Sequence, residues 1–354
     1  MILKINDRLR VRTVEKFNNF NLNLKHDAVA STFAFDFYYD PANSEHKQLA
    51  CLSHYHYVTV EDNGELLLTG TLLSNVFNSS NVRELVAFGG YSKPGVLEDC
   101  QIPISAYPLQ SDGLTLREIV TRILKPFQLN FAVDESVSAA MDKPYEKTTA
   151  SNTQTCKDYI CELATQRDII VTHTNNGWLY FTKTRADRNP IFHFEQGQTG
   201  VSFSLSFNGQ GIHSHITVVK EADDVGGNAG EVTIVNPYCP ILYRPKVITQ
   251  SSGDDIDTGT AAKNALAEEL KNITIKITLS SWYINKKIIR PNQVISITNP
   301  ELYIFKKTDF FIESVDLKGD NKSKTAVLTC VLKEVYNDQA PSNIFVSDHY
   351  KQNA

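Results

Sequence analysis

Residues 29–39, VASTFAFDFYY, place Phe33, Phe35 and Phe37 at every second position. A period of two belongs to a strand, whose successive side chains point to opposite faces; it cannot form a helical stripe. The same alternation returns at 200–208, where Val201, Phe203, Leu205 and Phe207 are separated by serines, and at 213–220, HSHITVVK. Segments that are wet on one side and dry on the other need a sheet with one face on a core, which points to antiparallel pairing.

Further strands are read at 55–60 and 65–77, joined by Glu61-Asp62-Asn63-Gly64, and at 81–90. Asn-Gly supplies the positive φ angles of a tight hairpin. From Ser111 the period changes. Asp112 is read as the cap of a helix over 114–126, with Leu116, Ile119, Val120, Ile123 and Leu124 on its apolar face. A strand over 127–133 and a polar loop over 148–155 follow, then a helix over 155–166 with Cys156, Tyr159, Ile160 and Leu163 inward. A hairpin of 168–174 and 178–182 turns at Asn175-Asn176-Gly177. Beyond Asn189 strands return, with loops at 222–230 and 236–245. A helix over 260–271 turns Leu266 and Leu270 inward, and strands are expected at 273–281, 293–298, 310–318 and 325–335.

The expected class is therefore β-rich α+β: two similar antiparallel β-barrel domains, 1–108 and 191–338, flanking a smaller α+β insert, 109–190, with a polar tail over 339–354. The two β blocks echo one another in layout. Strand 57–60, strand 68–76 and polar turn 78–81 match strand 294–297, strand 310–317 and polar turn 318–322.

Chemistry is harder to place. Lys plus Arg number 35 and Asp plus Glu 40, a net charge of −5, without the basic stripe of a nucleic-acid binder. The opening MILKINDRLRVRTVEKF has no apolar core of a signal peptide, and no run approaches the roughly 20 apolar residues of a spanning helix, so no membrane partner is expected. Cys51, Cys100, Cys156, Cys161, Cys239 and Cys330 lie far apart and are expected as reduced, mostly buried thiols. The sharpest metal candidates are His54-Tyr55-His56 and His213-Ser214-His215, because i and i+2 share a strand face. Neither pair has a marked third ligand, and histidines on a wet face explain both. There is no G-x-S-x-G elbow, and Cys156 has no local partner signature. Thr258-Gly259-Thr260-Ala261-Ala262-Lys263 lacks the core of a phosphate loop and reads as a helix start capped by Asp257 or Thr258. The carboxylate pairs Glu268-Glu269 and Asp254-Asp255 read as solvated, and Lys286-Lys287-Ile288-Ile289-Arg290 as a solvated hairpin end. No catalytic, cofactor-binding or metal residue is assigned, and no enzyme is expected.

A resemblance emerges over 260–336. The small-residue helix AAKNALAEELKN leads to a strand, then Trp282-Tyr283-Ile284 and Pro291-Asn292 before Val294-Ile295-Ser296-Ile297. Phe310-Phe311-Ile312-Glu313-Ser314-Val315 and Ala326-Val327-Leu328-Thr329-Cys330-Val331-Leu332 close the segment. This order resembles the C-terminal barrel of baseplate hub proteins of contractile-tailed phages: the Mu-type and T-even hubs, late-control tail protein D and the base of type VI spike proteins. The resemblance implies a homotrimer whose paired barrels make a pseudo-sixfold ring joining the tail tube protein to the central spike protein, beside other baseplate proteins. Genomic DNA or an effector would pass through only as cargo. It also implies synthesis in a bacterial host cytoplasm and a place in the virion tail baseplate. Two other readings stand beside it: a metal-dependent hydrolase using the H-x-H pairs, and a carbohydrate-binding tail protein using Trp178, Trp282 and the tyrosines.

Overall fold

In the computed structural model, residues 1–6, 10–15, 17–79, 85–184, 186–221, 228–250, 258–320, 322–337 and 339–345 are described. They cluster into two units. The first holds Met1–Lys183 and Asp316–Thr325; the second holds Thr184–Val315 and the residues from Ala326 onward. The protein is mostly β, with long antiparallel pairings and a smaller helical share.

The first unit opens with β1 (Ile2–Asn6), β2 (Val11–Val14), β3 (Asn19–Lys25) and β4 (Thr32–Tyr38). A short helix, α1 (Ser44–Leu49), precedes β5 (Tyr57–Asp62), β6 (Glu65–Phe77) and β7 (Leu85–Ser92). The sheet order is β3-β4-β7-β6-β5-β1-β2, antiparallel throughout. Asn63 and Gly64 take φ of 49° and 80°, as the hairpin between β5 and β6 requires. The alternation of β4 is obeyed: Phe33, Phe35 and Phe37 are all buried. Phe35 sits opposite Phe88 of β7, with ring centroids 5.2 Å apart, and Phe37 stacks on the same ring. Such pairs contribute about 0.5–1.5 kcal/mol beyond their buried area. Gly90, opposite Phe33, has no room for a side chain, because a Cβ there would meet the Thr71 carbonyl. The strand expected at 81–90 is β7 from Leu85; residues 81–84 lie outside the described set.

After α2 (Val96–Asp99) comes the helical part of this unit: α3 (Leu116–Leu124), β8 (Phe131–Val133), α4 (Glu135–Met141), α5 (Cys156–Thr165), β9 (Ile170–His173) and β10 (Leu179–Thr182). Asp112 does not cap α3. Thr115 does, in a reciprocal box: its hydroxyl accepts the Glu118 N–H at 3.2 Å and the Glu118 carboxylate accepts the Thr115 N–H at 2.8 Å. Asp112 instead accepts the Thr148 N–H at 2.8 Å. The helix stops at Leu124 because Pro126 cannot continue it. A 3-10 turn over Lys125–Phe127 follows, so the strand expected from 127 begins only at Phe131. The expected scheme lacked α4, whose buried residues are only Val137 and Met141.

One regularity links α3 and α5. Thr155 caps α5 as Thr115 caps α3, with Asp158 standing where Glu118 stands. Leu116, Ile119, Val120, Ile123 and Leu124 are buried in α3; Cys156, Tyr159, Ile160, Leu163 and Ala164, in the same phase, are buried in α5. Both faces enter one core, with Leu179 and Phe181 of β10 beneath them.

The second unit contains β11 (His193–Glu195), β12 (Val201–Phe207), β13 (His215–Glu221), β14 (Asn228–Val235), β15 (Pro245–Gln250) and α6 (Thr258–Leu270). Then come β16 (Ile273–Leu279), a small hairpin of β17 (Tyr283–Ile284) and β18 (Lys287–Ile288), β19 (Gln293–Asn299), β20 (Ile304–Asp320) and β21 (Lys324–Leu332). The main order is β12-β16-β21-β20, with β19 on β20 and β11 parallel to β19. A separate sheet, β14-β13-β15, has β13 and β15 parallel and packs on α6.

Several expectations change in this unit. The loop read at 222–230 gives way to strand from Asn228, with 222–227 outside the described residues. The proline-bearing segment ends in β15, since Pro245 occupies the first position of its strand, where no ladder N–H is lost. The polar tail is partly anchored: Phe345 packs on Phe207 and Tyr238, and the Tyr238 hydroxyl donates to the Ser342 carbonyl at 2.9 Å. Residues 338 and 346–354 lie outside the described set. Of the six thiols only Cys156 and Cys330 are buried; the other four are half-buried, so most are more open than composition suggested.

Candidate functional site

Neither H-x-H pair is a strand pair. His54 and His56 lie in the turn region before β5, where Ser53 and Tyr55 have φ of 66° and 46°. His54 Nδ1 binds the Leu52 carbonyl at 2.9 Å, and its Nε2 is 3.7 Å from Cys51 Sγ. His213 precedes β13 and is held by Glu269: the carboxylate accepts its backbone N–H and faces Nδ1, each at 2.8 Å. His215 pairs instead with Ser214 at 2.9 Å and meets the Tyr243 ring edge-on. The period-two reading failed because strand geometry starts three residues after His54 at the first site and two after His213 at the second. Among the described residues no group of three His, Cys, Asp or Glu side chains is placed to hold a metal.

Glu269 corrects the reading of Glu268-Glu269 as solvated. Its side chain is 4% exposed and meets Lys246 Nζ at 3.2 Å besides His213, while Glu268 is exposed and pairs with Lys271. A buried carboxylate is tolerated only with such partners. Here they pin β13 and β15 to α6. Asp254-Asp255 lies outside the described residues. Residues 258–263 form the first turns of α6, as a helix start and not a phosphate loop. Lys286 and Lys287 are exposed at the β17–β18 hairpin, whereas Ile288 and Ile289 are buried.

What the chain does expose are strand edges and apolar side chains. β12 ends the strand order of the second unit, and Ser202, Ser204, Ser206 and Phe207 on it are exposed. β2 ends the order in the first unit. A strand at the end of a sheet offers a row of backbone donors and acceptors to another chain. In the β14-β13-β15 sheet, Val235 and Val247 are exposed, and the loop before β15 presents Ile241, Leu242 and Tyr243, with Ile241 at 98% exposure. Apolar groups concentrated in this way mark interaction surfaces. Trp178 is also exposed, beside a groove of about 420 Å³ lined by Thr121, Leu124, Lys125, Leu129, Asn130 and Phe131. Trp282, by contrast, is 1% exposed, which removes it from any sugar-stacking platform.

Titration behaviour follows burial. His26 and His173 are both lowered to about 4, chiefly by desolvation; Asp27 opposes the shift of His26 and nearby His173 adds to it. Burial pushes the Cys156 and Cys161 thiols up to about 12, so neither is a ready nucleophile.

Residues 94–183 match a family described as baseplate hub protein gp44-like, second domain. Over its length the chain is similar to the 43 kDa tail protein of prophage MuSo2 from Shewanella oneidensis, with a TM-score of 0.76 and 18% identity over 95% of this chain and 99% of that one. The tail protein from Neisseria meningitidis MC58 gives 0.75 and 14%, covering 95% and 97%. The E. coli c3393 protein, a component of the type VI secretion system with structural similarity to the T4 tail proteins gp27 and gp5, gives 0.54 and 9%, covering 97% and 80%. At such identities the likeness is one of fold. No curated protein sequence matches the chain. The resemblance to baseplate hub proteins therefore stands. The family model matches the α+β region, while the fold likeness to the tail proteins extends along nearly the whole chain.

Proposed function

We propose that this chain is a structural, non-enzymatic baseplate hub subunit of a phage tail or a related contractile injection machine. It would act as a homotrimer, with residues 1–108 and 191–338 as its paired barrels, 109–190 as the insert and 339–354 as the tail. Three copies would form a pseudo-sixfold ring between a tail tube protein and a central spike protein, among other baseplate proteins, with DNA or an effector only as cargo. The observation that carries this reading is the fold likeness along nearly the whole chain to prophage tail proteins, joined to the hub-family match at 94–183. The uncovered edges of β2 and β12 agree with it, because a ring of subunits is one way to satisfy them. Such a ring should bury more than the roughly 1,600 Å² of a standard interface.

The test is an assembled particle imaged at a resolution that counts subunits. Three copies on the tail axis, between tube and spike, support the proposal. One or six copies per ring, or a position on the outer baseplate, overturn it. A monomer in dilute solution does not bear on the question, because the tube or spike can serve as template.

A further inference from the structure

Gln101 and Thr155 form an isolated antiparallel bridge, which makes Cys100 and Cys156 the next directly opposed pair in the register. The Cys156 N–H donates to the Cys100 carbonyl at 2.9 Å, so their backbones are in contact at that level. The bond runs one way only, because the Cys100 N–H goes back to the Val96 carbonyl of α2, yet backbones joined by such a bond hold their Cα atoms roughly 5–6 Å apart, inside the range a disulfide spans. Cys156 is fully buried at the first turn of α5, and Cys100, just after α2, is half-buried and reachable by a small molecule. The proximity of the two sulfurs also contributes to the raised titration of Cys156, after burial itself.

We propose that Cys100 and Cys156 are a reversible disulfide pair that closes when the protein meets a small-molecule disulfide. The Cys100 thiolate attacks one sulfur of oxidised glutathione, releasing one glutathione thiolate and forming a mixed disulfide. Cys156 gives its proton to water, and its sulfur then displaces the second glutathione thiolate. The two cysteines lose two electrons in all, the glutathione disulfide gains them, and the protons end on the released thiols. Closure ties the exit of α2 to the start of α5. Because Cys156 loses its proton reluctantly, the second displacement is slow at neutral pH and faster in alkali.

The experiment uses the full chain, purified in reductant and exchanged into glutathione buffers of increasing oxidised fraction. Thiols counted in denaturant should fall from the six of the sequence to four. Peptide mapping should join Cys100 to Cys156, dithiothreitol should reverse the link, and closure should run faster at pH 9 than at pH 7. A Cys100→Ser variant, changed at the half-buried position, should leave Cys156 a free thiol, with any glutathione confined to the other half-buried cysteines, Cys51, Cys161 and Cys239. Persistence of all six thiols in the native protein through the most oxidising buffer overturns the proposal. So does glutathione stopping on Cys100 without closure, or a link between any other pair.

Discussion

Asp62 and Lys324 stand 262 positions apart, yet Lys324 Nζ lies 3.2 Å from both oxygens of the Asp62 carboxylate. That carboxylate is fully buried at the end of β5 and also meets the Met1 ammonium at 2.8 Å. A buried charge with too few partners is costly. Lys324→Met leaves Met1 as the remaining cation and should destabilise the protein by about 1–3 kcal/mol. Lys324→Glu places a second anion there and should cost about 3–5 kcal/mol. Urea midpoints of the two variants and the parent check the order; variant midpoints equal to the parent's would show that Lys324 contributes nothing.

The buried histidines set an acid limit. His26 titrates near 4 in the folded chain against 6.5 when free, mainly through desolvation, with His173 adding repulsion and Asp27 opposing. Between those values the unfolded chain takes up a proton that the folded one refuses. Stability therefore falls as pH drops from about 6.5 to 4 and levels off below, by roughly 3 kcal/mol for His26. His26→Gln should flatten that slope. Denaturation midpoints measured at pH 7.5 and pH 4.5 give the difference directly.

Thr115 and Thr155 should be equivalent in kind. Each hydroxyl accepts a backbone N–H at the start of its helix. Replacement of either by Ala should cost about 1 kcal/mol, read from the thermal midpoint. Asp112→Ala should leave α3 itself intact, because Asp112 contacts the 148 loop and not the helix start.

Glu269→Ala should release the β14-β13-β15 sheet from α6, since it leaves Lys246 and His213 without their shared anion. Because the charge removed is the buried one and its partners reach solvent, the expected loss is about 1–3 kcal/mol. Amide exchange should rise across β13 and β15 while β16 and β21 stay protected; uniform exchange throughout the unit would contradict the local account.

Ser204→Lys tests the free edge of β12 in assembly. Ser204 is exposed and its neighbour on the sheet side is Lys276 of β16. A lysine on an edge strand discourages pairing with another chain. The like charge opposite Lys276 should lower the melting transition only slightly, by about 0.2–1 kcal/mol, while incorporation into particles is lost. Normal incorporation would mean that β12 is not an assembly edge.

Strand identity was legible from the alternation, with a dry face in β4 and an only half-buried one in β12. Helix identity was legible from the spacing in α3, α5 and α6. Boundaries depended on interactions that a one-dimensional pattern does not display. Asp112 is as good a capping residue as Thr115, and only the reciprocal contact of Thr115 with Glu118 decides between them. β15 was hidden because it follows directly on the three prolines of 236–245, the last of which opens it, and Glu269 read as solvated because its partners lie 23 and 56 positions away. The H-x-H pairs show the converse error: a correct rule for strands applied to residues just outside them.

The tip of the β20–β21 hairpin, residues 316–325, belongs to the first unit, although about 130 residues of the second unit lie between them in the chain. Translation runs from the N-terminus, so the ribosome must release most of the chain before Lys324 can reach Asp62 or Asp316 can reach Asn23. The first unit is thus the earliest made and among the last completed. A nascent chain interrupted anywhere in the second unit would leave the first unfinished, with a buried carboxylate short of a partner. Such a product should be exposed to proteolysis before it could compete for a place in an assembly.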